Sequence, residues 1–596
     1  LLINDLEGLI KAALGIIPMG LVIRNVRLVN VFTGEIYQAD IGIYKGIIAH
    51  IDADPDGLAT DGSREQDRIT GKEEFDGQGL YAIPGLIDSH VHVESSMMTP
   101  GNFAKAIIPS GTTTIITDPH EIGNVLGKDG VKYMLEASEG LPMKQFILVP
   151  SCVPAVPSVE GAGAEFDKKE IEEMLSWPRV LGLAELMDFK GVISRSERMM
   201  EILELARREQ IFIQGHAPGL AGRSLSAYLC VGAATDHEVR AGQEARDKIR
   251  LGMTLDARES SMSRNVEDIV KAIKEFHYPP NLTLCSDDRE VSDLLNEGHM
   301  NHVVRRAIES GLEPIDALRA ATLHAAKSIG IENLGALAPG YVADIVLLPS
   351  LAEMKPAYVF HEGTLVAKDG KLIVDIPEKD FEVEKRNTVN LNNPSLEQFR
   401  IKAPIEEGQI ATRIISYLSH HSSLTKYEVE ELPVKKGYLD ISEYEDLKYV
   451  AVFNRYGSGD YATGIVRNFG LKEGAIASTV SHDSHNVTVV WTDPRDGQLA
   501  VQTIIEIGGG IVCVKDGQVL GCLKLPIAGL MSKLPCEELA REIDKMKDIT
   551  RKMGIESKNP LLRIATLALP VIPNAKITDK GLVEVNSQQI LPLFEQ

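Results

Sequence analysis

Six cysteines are spread through 596 residues, at Cys152, Cys230, Cys285, Cys513, Cys522 and Cys536, and none forms a C-x-x-C pair. That spacing argues against a disulfide framework and against a thiolate zinc site, and it predicts a protein of the reducing cytoplasm. Long apolar runs are missing too: no stretch approaches about 18 uncharged apolar residues, so no segment is expected to span a membrane. The first twenty residues mix apolar positions with Asp5, Glu7 and Lys11, which predicts an amphipathic helix over 1–20 rather than a basic-then-apolar leader. Basic charge is in deficit. The 62 Lys and Arg against 85 Asp and Glu leave a formal charge of −23, which repels nucleic acid and anionic membrane surfaces and favours a small-molecule partner. Gly508-Gly509-Gly510 lacks the strand-to-helix setting and the following Lys-Ser/Thr of a phosphate loop, and no short-period repeat stands out.

What is present is a globular composition, 44% apolar, in a chain long enough for two to four domains. From Leu21 to about Asp54, short β-branched runs broken by Gly34 and Gly46 read as hairpin-connected strands, and the same texture returns between Ala338 and Val374. The simplest arrangement is one small split β-sandwich domain built from 21–80 and 331–376. Between them lie eight apolar runs, at Tyr81–Asp88, Thr112–Asp118, Gln145–Cys152, Val180–Leu186, Gln210–His216, Ala233–Glu238, Met253–Ala257 and Leu282–Asp287. The intervening segments carry helical periodicity, clearest at Ser194–Gln210 and Ser263–Phe276. Eight β/α repeats in about 240 residues predict an α/β fold, a (β/α)8 TIM-type barrel over 81–330. The polar stretch 377–393 reads as a linker into an additional C-terminal α+β domain, 394–596, with strand-like runs and a helix at Pro535–Met553.

The candidate chemistry sits at the ends of the predicted barrel strands. His90 and His92 in IDSHVHVES are two residues apart, so both imidazoles point to one side of a strand. Glu185 closes VLGLAE, His216 closes IFIQGH, His237 closes AATDH and Asp287 closes LTLCSD. Singly, each has a structural alternative: a core histidine, a helix cap, an ion-pair partner. Their common placement at the C-terminal ends of barrel strands, where barrel active sites are built, favours one metal centre. The nitrogen and oxygen donors suit Mn, Fe, Zn or Co rather than a calcium cage. Two divalent transition metals sharing an ionised water, bridged by Glu185, would supply a nucleophile at neutral pH, with Asp287 accepting a proton from it and returning it to the leaving group.

The set PGLIDSHVH, GH, DH and SDD resembles the amidohydrolase superfamily. Within it, DSHVHVESSMMTP, GTTTIITDPHEIGNV, GLAELMDF, GAIASTVSHDSHN and PIAGLMS look like the bacterial adenine deaminase family, from about Leu21 to near the C-terminus. Glu185 stands where hydantoinase- and dihydroorotase-like relatives carry a carbamylated lysine. The resemblance implies hydrolytic deamination of adenine to hypoxanthine and ammonia at a binuclear iron or manganese centre, zinc being the alternative metal. Attack at C6 pushes electrons onto N1, so an acid near N1 is expected. Glu121 is the first candidate and Glu94 the second, a capping role being the alternative for either. Asp118, His120 and Glu121 crowd one strand-to-helix loop, which suits an accessory metal or a substrate contact, a loop hydrogen-bond network being the alternative, and Asp288 is a further candidate substrate contact. Arg223, Asp288 and Glu238 flank the expected ligands as orienting groups. Ser481-His482-Asp483-Ser484-His485 reads either as a cap over the site or as a surface turn.

Two other functions are compatible with parts of this pattern: a ring-opening amidohydrolase using the same metals, and a catalytically silent barrel scaffold. Glu185 and the long C-terminal unit argue against the first, and retention of all six ligands against the second. A homodimer or higher even assembly is expected.

Overall fold

The computed structural model describes residues 5–54, 69–419, 422, 424–557 and 559–595. Its centre is a set of eight short parallel strands: β1 (Leu86–Val91), β2 (Thr112–Thr117), β3 (Lys144–Val149), β4 (Val180–Leu186), β5 (Phe212–Gly215), β6 (Thr235–Asp236), β7 (Thr254–Arg258) and β8 (Leu282–Cys285). The first five pair in the order β5-β4-β3-β2-β1 and the last three as β6-β7-β8. Two isolated parallel bridges, Ile213 with Ala233 and Val91 with Asp287, join the two groups at both ends. With helices between successive strands, this is the mixed α/β content of a TIM-type barrel. The sequence explains the strands: β2 is TTTIIT, β-branched throughout and wholly buried, as a parallel strand covered on both faces requires. It also explains the helices. In Val266–Ile273 the buried residues Val266, Ile269, Val270 and Ile273 follow the i, i+3, i+4, i+7 stripe.

The first predicted strand needs correcting. Tyr81–Asp88 is not one barrel strand, because the chain changes partners at Pro84-Gly85. Tyr81–Pro84 belongs to a separate nine-stranded sheet and β1 begins at Leu86. That sheet joins strands from both flanks of the barrel, with Ile345–Leu348 antiparallel to Tyr81–Pro84, which in turn lies beside Met19–Val29. The N-terminal helix is shorter than 1–20. It runs Leu6–Ala13, capped by Asp5 accepting from Gly8 N–H at 2.9 Å, and the first sheet strand already starts at Met19. Residues 1–4 of that expected helix, and 55–68 of the expected β domain, lie outside the described residues.

The C-terminal residues form a second nine-stranded sheet, a three-stranded sheet and the helices Pro494–Ile507, Cys536–Lys552 and Pro560–Ala565. They are not held off on a tether. The expected linker 377–393 is a docked strap: Phe381 packs edge-on against Tyr133 with centroids 5.2 Å apart, and Glu384 accepts from the Tyr133 hydroxyl at 3.0 Å. Its charged residues hid the apolar anchors Phe381, Val383 and Val389 that seat it. Lys547 pairs with buried Glu290, Asn559 donates to Glu290 at 2.8 Å, and Asn102 donates to Leu534 O at 3.0 Å. One apolar cluster runs without interruption from the barrel helices into the C-terminal sheet. No helix among the described residues is long and apolar enough to cross a membrane.

Gly215 fixes how closely β5 and β6 approach, since a Cβ there would lie 2.0 Å from the Thr235 carbonyl oxygen. Gly215→Ala is therefore expected to cost about 1–3 kcal/mol and to lower the apparent thermal unfolding midpoint by several degrees in calorimetry. An unchanged midpoint would show that these strands separate freely.

Candidate active site

The barrel brings the six sequence-predicted ligands together at the C-terminal ends of its strands. His90 lies within β1 and His92 just beyond it, Glu185 is the penultimate residue of β4, His216 and His237 directly follow β5 and β6, and Asp287 follows β8. All six are buried. Glu185 is the hub. Its Oε1 lies 3.3 Å from His90 Nε2 and 3.1 Å from His92 Nε2, while Oε2 lies 2.6 Å from His216 Nδ1 and 3.4 Å from His237 Nε2. Asp287 Oδ1 completes the first group, 3.2 Å from His90 Nε2 and 3.5 Å from His92 Nε2.

Hydrogen bonds behind the rings decide what faces inward. His92 Nδ1 lies 3.0 Å from the Asp118 carbonyl oxygen, which can only accept, so Nδ1 carries the proton. His90 Nδ1 lies 3.0 Å from Gln214 Oε1, and the Gln214 amide is oriented by donating to Ser89 O at 3.2 Å. In the neutral imidazoles, both Nε2 lone pairs therefore point at carboxylate oxygens about 3 Å away. Lone pair against carboxylate is repulsive unless a cation lies between them. Protons would serve. Burial pushes the His90 imidazole down, yet Asp287 and Glu185 outweigh it and carry it up to about 10, and His92 rises in the same way. Burial alone would lift both carboxyls, but His237 and His216 hold Glu185, and Arg258 with His90 holds Asp287, well below the usual carboxylate range. The pocket thus demands positive charge, and divalent ions meet that demand with this donor set. Two more buried ring nitrogens, His216 Nε2 and His237 Nδ1, lack hydrogen-bond partners among the described residues.

Arg258, at the end of β7, escaped the sequence reading. Its guanidinium donates to Asp287 Oδ2 at 2.8 Å and lies 2.9 Å from Glu238 Oε1, tying two strand ends together. The signal was its position at the close of MTLDAR, the same strand-end address the ligands occupy. Glu238 does flank the site as expected. Arg223 does not: it is exposed on the helix Gly222–Cys230.

The remaining candidates divide by position. His120, Glu121 and Asp288 line the cavity above the six ligands, whereas Asp118 and Glu94 are absent from its lining. Asp118 sits behind, with Oδ2 accepting from Glu185 N–H at 3.3 Å and lying 3.1 Å from His120 Nδ1. Glu94 accepts from Ile122 N–H at 3.3 Å, and burial with neighbouring Glu121 pushes its carboxyl up to about 8. Glu121 is the reverse: burial would raise it, but His482 and His485 hold it ionised, below the usual range. The Ser481–His485 segment is a buried turn at the mouth of the barrel and not a surface turn, with Asn486 donating to Gly161 O of a barrel loop at 2.7 Å.

The cavity is about 700 Å³ and has a shared wall, the floor from barrel residues and the opposite side from His482, Asp483, Arg563, Thr566 and Leu569. Glu185 alone touches both pairs of imidazoles, so Glu185→Gln is expected to reduce manganese retained after dialysis from about two equivalents, the number a two-metal site holds, to one or fewer by elemental analysis. Full retention would remove Glu185 from the ligand set.

Residues 81–372 match the amidohydrolase family, and residues 422–589 match the adenine deaminase C-terminal domain. Adenine deaminase 2 of Carboxydothermus hydrogenoformans is 42% identical, covering 99% of this chain and 100% of its own length. Adenine deaminase of Kosmotoga olearia is 38% identical across 99% of each chain, and that of Desulfatibacillum aliphaticivorans 39% identical across 99% of this chain and 100% of its own. Identity at this level over whole chains, with both domain matches in the same order along the sequence, places this chain in the adenine deaminase family.

Proposed function

We propose that this protein deaminates adenine hydrolytically, releasing hypoxanthine and ammonia. The observation that carries the reading is the pair of buried carboxylates wedged among four imidazoles, two of which have their lone pairs turned inward by fixed hydrogen bonds. His90, His92, Glu185, His216, His237 and Asp287 would hold two divalent ions, manganese or iron before zinc, with Glu185 between them. Such ions, when bound, ionise a water, lowering its pKa from 15.7 toward roughly 7. The chain's own residues do the rest. Asp287 accepts the proton of the hydroxyl added to C6 and returns it to the departing amino group, so that ammonia leaves. Arg258 keeps Asp287 ionised and aimed. The wall holding Glu121 is the side we place against N1, with His120 and Asp288 beside the purine.

In this reading the strands of 19–84 and 345–372 form an accessory β domain, 86–330 the catalytic barrel and 394–595 a roof over it. Unpaired cysteines fit a cytoplasmic enzyme, and an even homo-oligomer is the expected assembly.

Manganese-loaded protein is expected to convert adenine with one ammonia per purine, followed by ultraviolet absorbance, to lose that activity on chelation and to regain it with manganese, and to leave hydantoin untouched. Absence of adenine turnover at full metal loading would overturn the assignment. Arg258→Met removes the group that, against burial, does most to hold Asp287 ionised. The carboxylate is active only above its pKa, and removing Arg258 raises that pKa, so the acid limb of kcat/KM should move to higher pH and the rate near pH 7 should fall roughly 10²-fold. An unmoved limb would mean Asp287 is not the group being titrated.

A further inference from the structure

Glu121, His482 and His485 bring three potential ligand atoms within 4.8 Å of one another, all buried and none shared with the six-residue centre. Hydrogen bonding rejects a third metal there. His485 Nδ1 accepts from Ser481 N–H at 3.2 Å, so its lone pair is used and its proton sits on Nε2, which faces Glu121 Oε2 at 3.9 Å. Glu121 Oε1 lies 3.2 Å from His482 Nδ1 and 2.7 Å from Ser95 Oγ, whose single proton is shared with Asp288 Oδ1 at 2.6 Å. His482 Nδ1 thus stands at hydrogen-bond distance from Glu121 with His485 Nε2 just beyond it, the surroundings of an ionised carboxylate with no proton to give.

His482 has its backbone fixed within the C-terminal unit, while its ring meets Glu121 of the barrel. Its backbone N–H donates to Ala565 O at 2.9 Å, and the turn is tied through Tyr456, whose hydroxyl donates to Ser484 O at 2.5 Å. With Nδ1 committed to Glu121, the nitrogen left for the cavity is Nε2, and the residue lines the same cavity as His92, Glu185, His216, His237 and Asp287. The charges around it favour the doubly protonated ring: Glu121, Asp288 and Asp483 outweigh burial and carry it up to about 9.

Resting on the adenine deaminase reading, we infer that His482, supplied by the C-terminal unit, is the proton donor to N1 of the purine, and that Glu121 is the positioning residue that holds it. As the nucleophile's oxygen bonds to C6, the C6–N1 π pair moves onto N1 and takes the Nε2 proton, leaving a neutral imidazole whose Nδ1–H still donates to Glu121. That proton remains on N1 in hypoxanthine. Water re-protonates His482 before the next turnover, so protons balance without a co-reactant.

The test is His482→Ala in metal-loaded full-length protein, assayed with adenine beside wild type. The expected result is wild-type metal content, kcat lowered about 10²–10⁴-fold, the range of general-acid catalysis, KM within a few-fold, and partial, saturable recovery on adding imidazole. Glu121→Gln should lower kcat less and should not respond to imidazole. If His482→Ala binds less metal than wild type, His482→Gln replaces it, with the loss in kcat and an unchanged metal content as its criteria. A kcat within about twofold of wild type in a metal-replete His482 variant overturns the inference, as does a loss in His482→Ala that imidazole does not touch. Wild-type protein inert toward adenine would instead sink the functional reading on which this one rests.

Discussion

The site is organised around a buried negative charge that has to be neutralised. Glu185 and Asp287 lie where an isolated carboxylate would cost tens of kcal/mol by simple solvation arguments, and two of the rings around them, His90 and His92, turn lone pairs rather than protons inward. Only cations relieve this, and the protein provides for two kinds. Arg258 is permanent and takes Asp287 Oδ2, while Oδ1 of the same carboxylate faces His90 and His92. Glu185 has no such fixed partner: each of its oxygens serves a different pair of imidazoles. One carboxylate is thus split between a resident and an exchangeable cation, and the other is given wholly to exchangeable ones. That asymmetry suits the roles we propose for them, since a base must stay aimed when the ligands change and a bridge need only bridge.

The same electrostatics accounts for the size of the chain. Charges in an open barrel mouth are weakened by water, whereas under a roof they act at lower effective dielectric. The C-terminal residues supply that roof, and their attachment is specific: Lys547 and Asn559 on Glu290, Asn102 on Leu534, Asn486 on Gly161. Glu290 is buried three residues after Asp287, so the loop that carries Asp287 is also the loop that receives the roof.

Much of this was legible in sequence, for identifiable reasons. Parallel strands covered on both faces need continuous apolar or β-branched runs, so the barrel strands announced themselves, and a polar residue ending such a run is conspicuous; that is how His216, His237 and Asp287 were found. Three things were hidden. Tyr81–Asp88 reads as one strand because Pro84-Gly85 redirects the chain without interrupting the apolar pattern. Arg258 closes a strand whose Asp256 already breaks the apolar run, so its address was blurred. The buried turn around His482 is polar because it faces other polar groups across a domain boundary, and local composition cannot distinguish that from facing water. Contacts between distant segments leave no periodicity behind.

Glu94 and Glu121 carry the charge argument one step further. Two carboxyls buried side by side cannot both ionise cheaply, so donors decide which one does. The imidazoles of His482 and His485 face Glu121, and Glu94, with one amide donor from Ile122 and an unpartnered Oε2 among the described residues, is pushed up to about 8. A carboxyl raised in the folded state favours folding least at high pH: the native state keeps a proton the unfolded chain has released, so stability is drawn down as pH climbs from the ordinary carboxylate range toward about 8. The wall that holds Glu121 also holds Asp288 and Asp483, which together with Glu121 carry the His482 imidazole up to about 9.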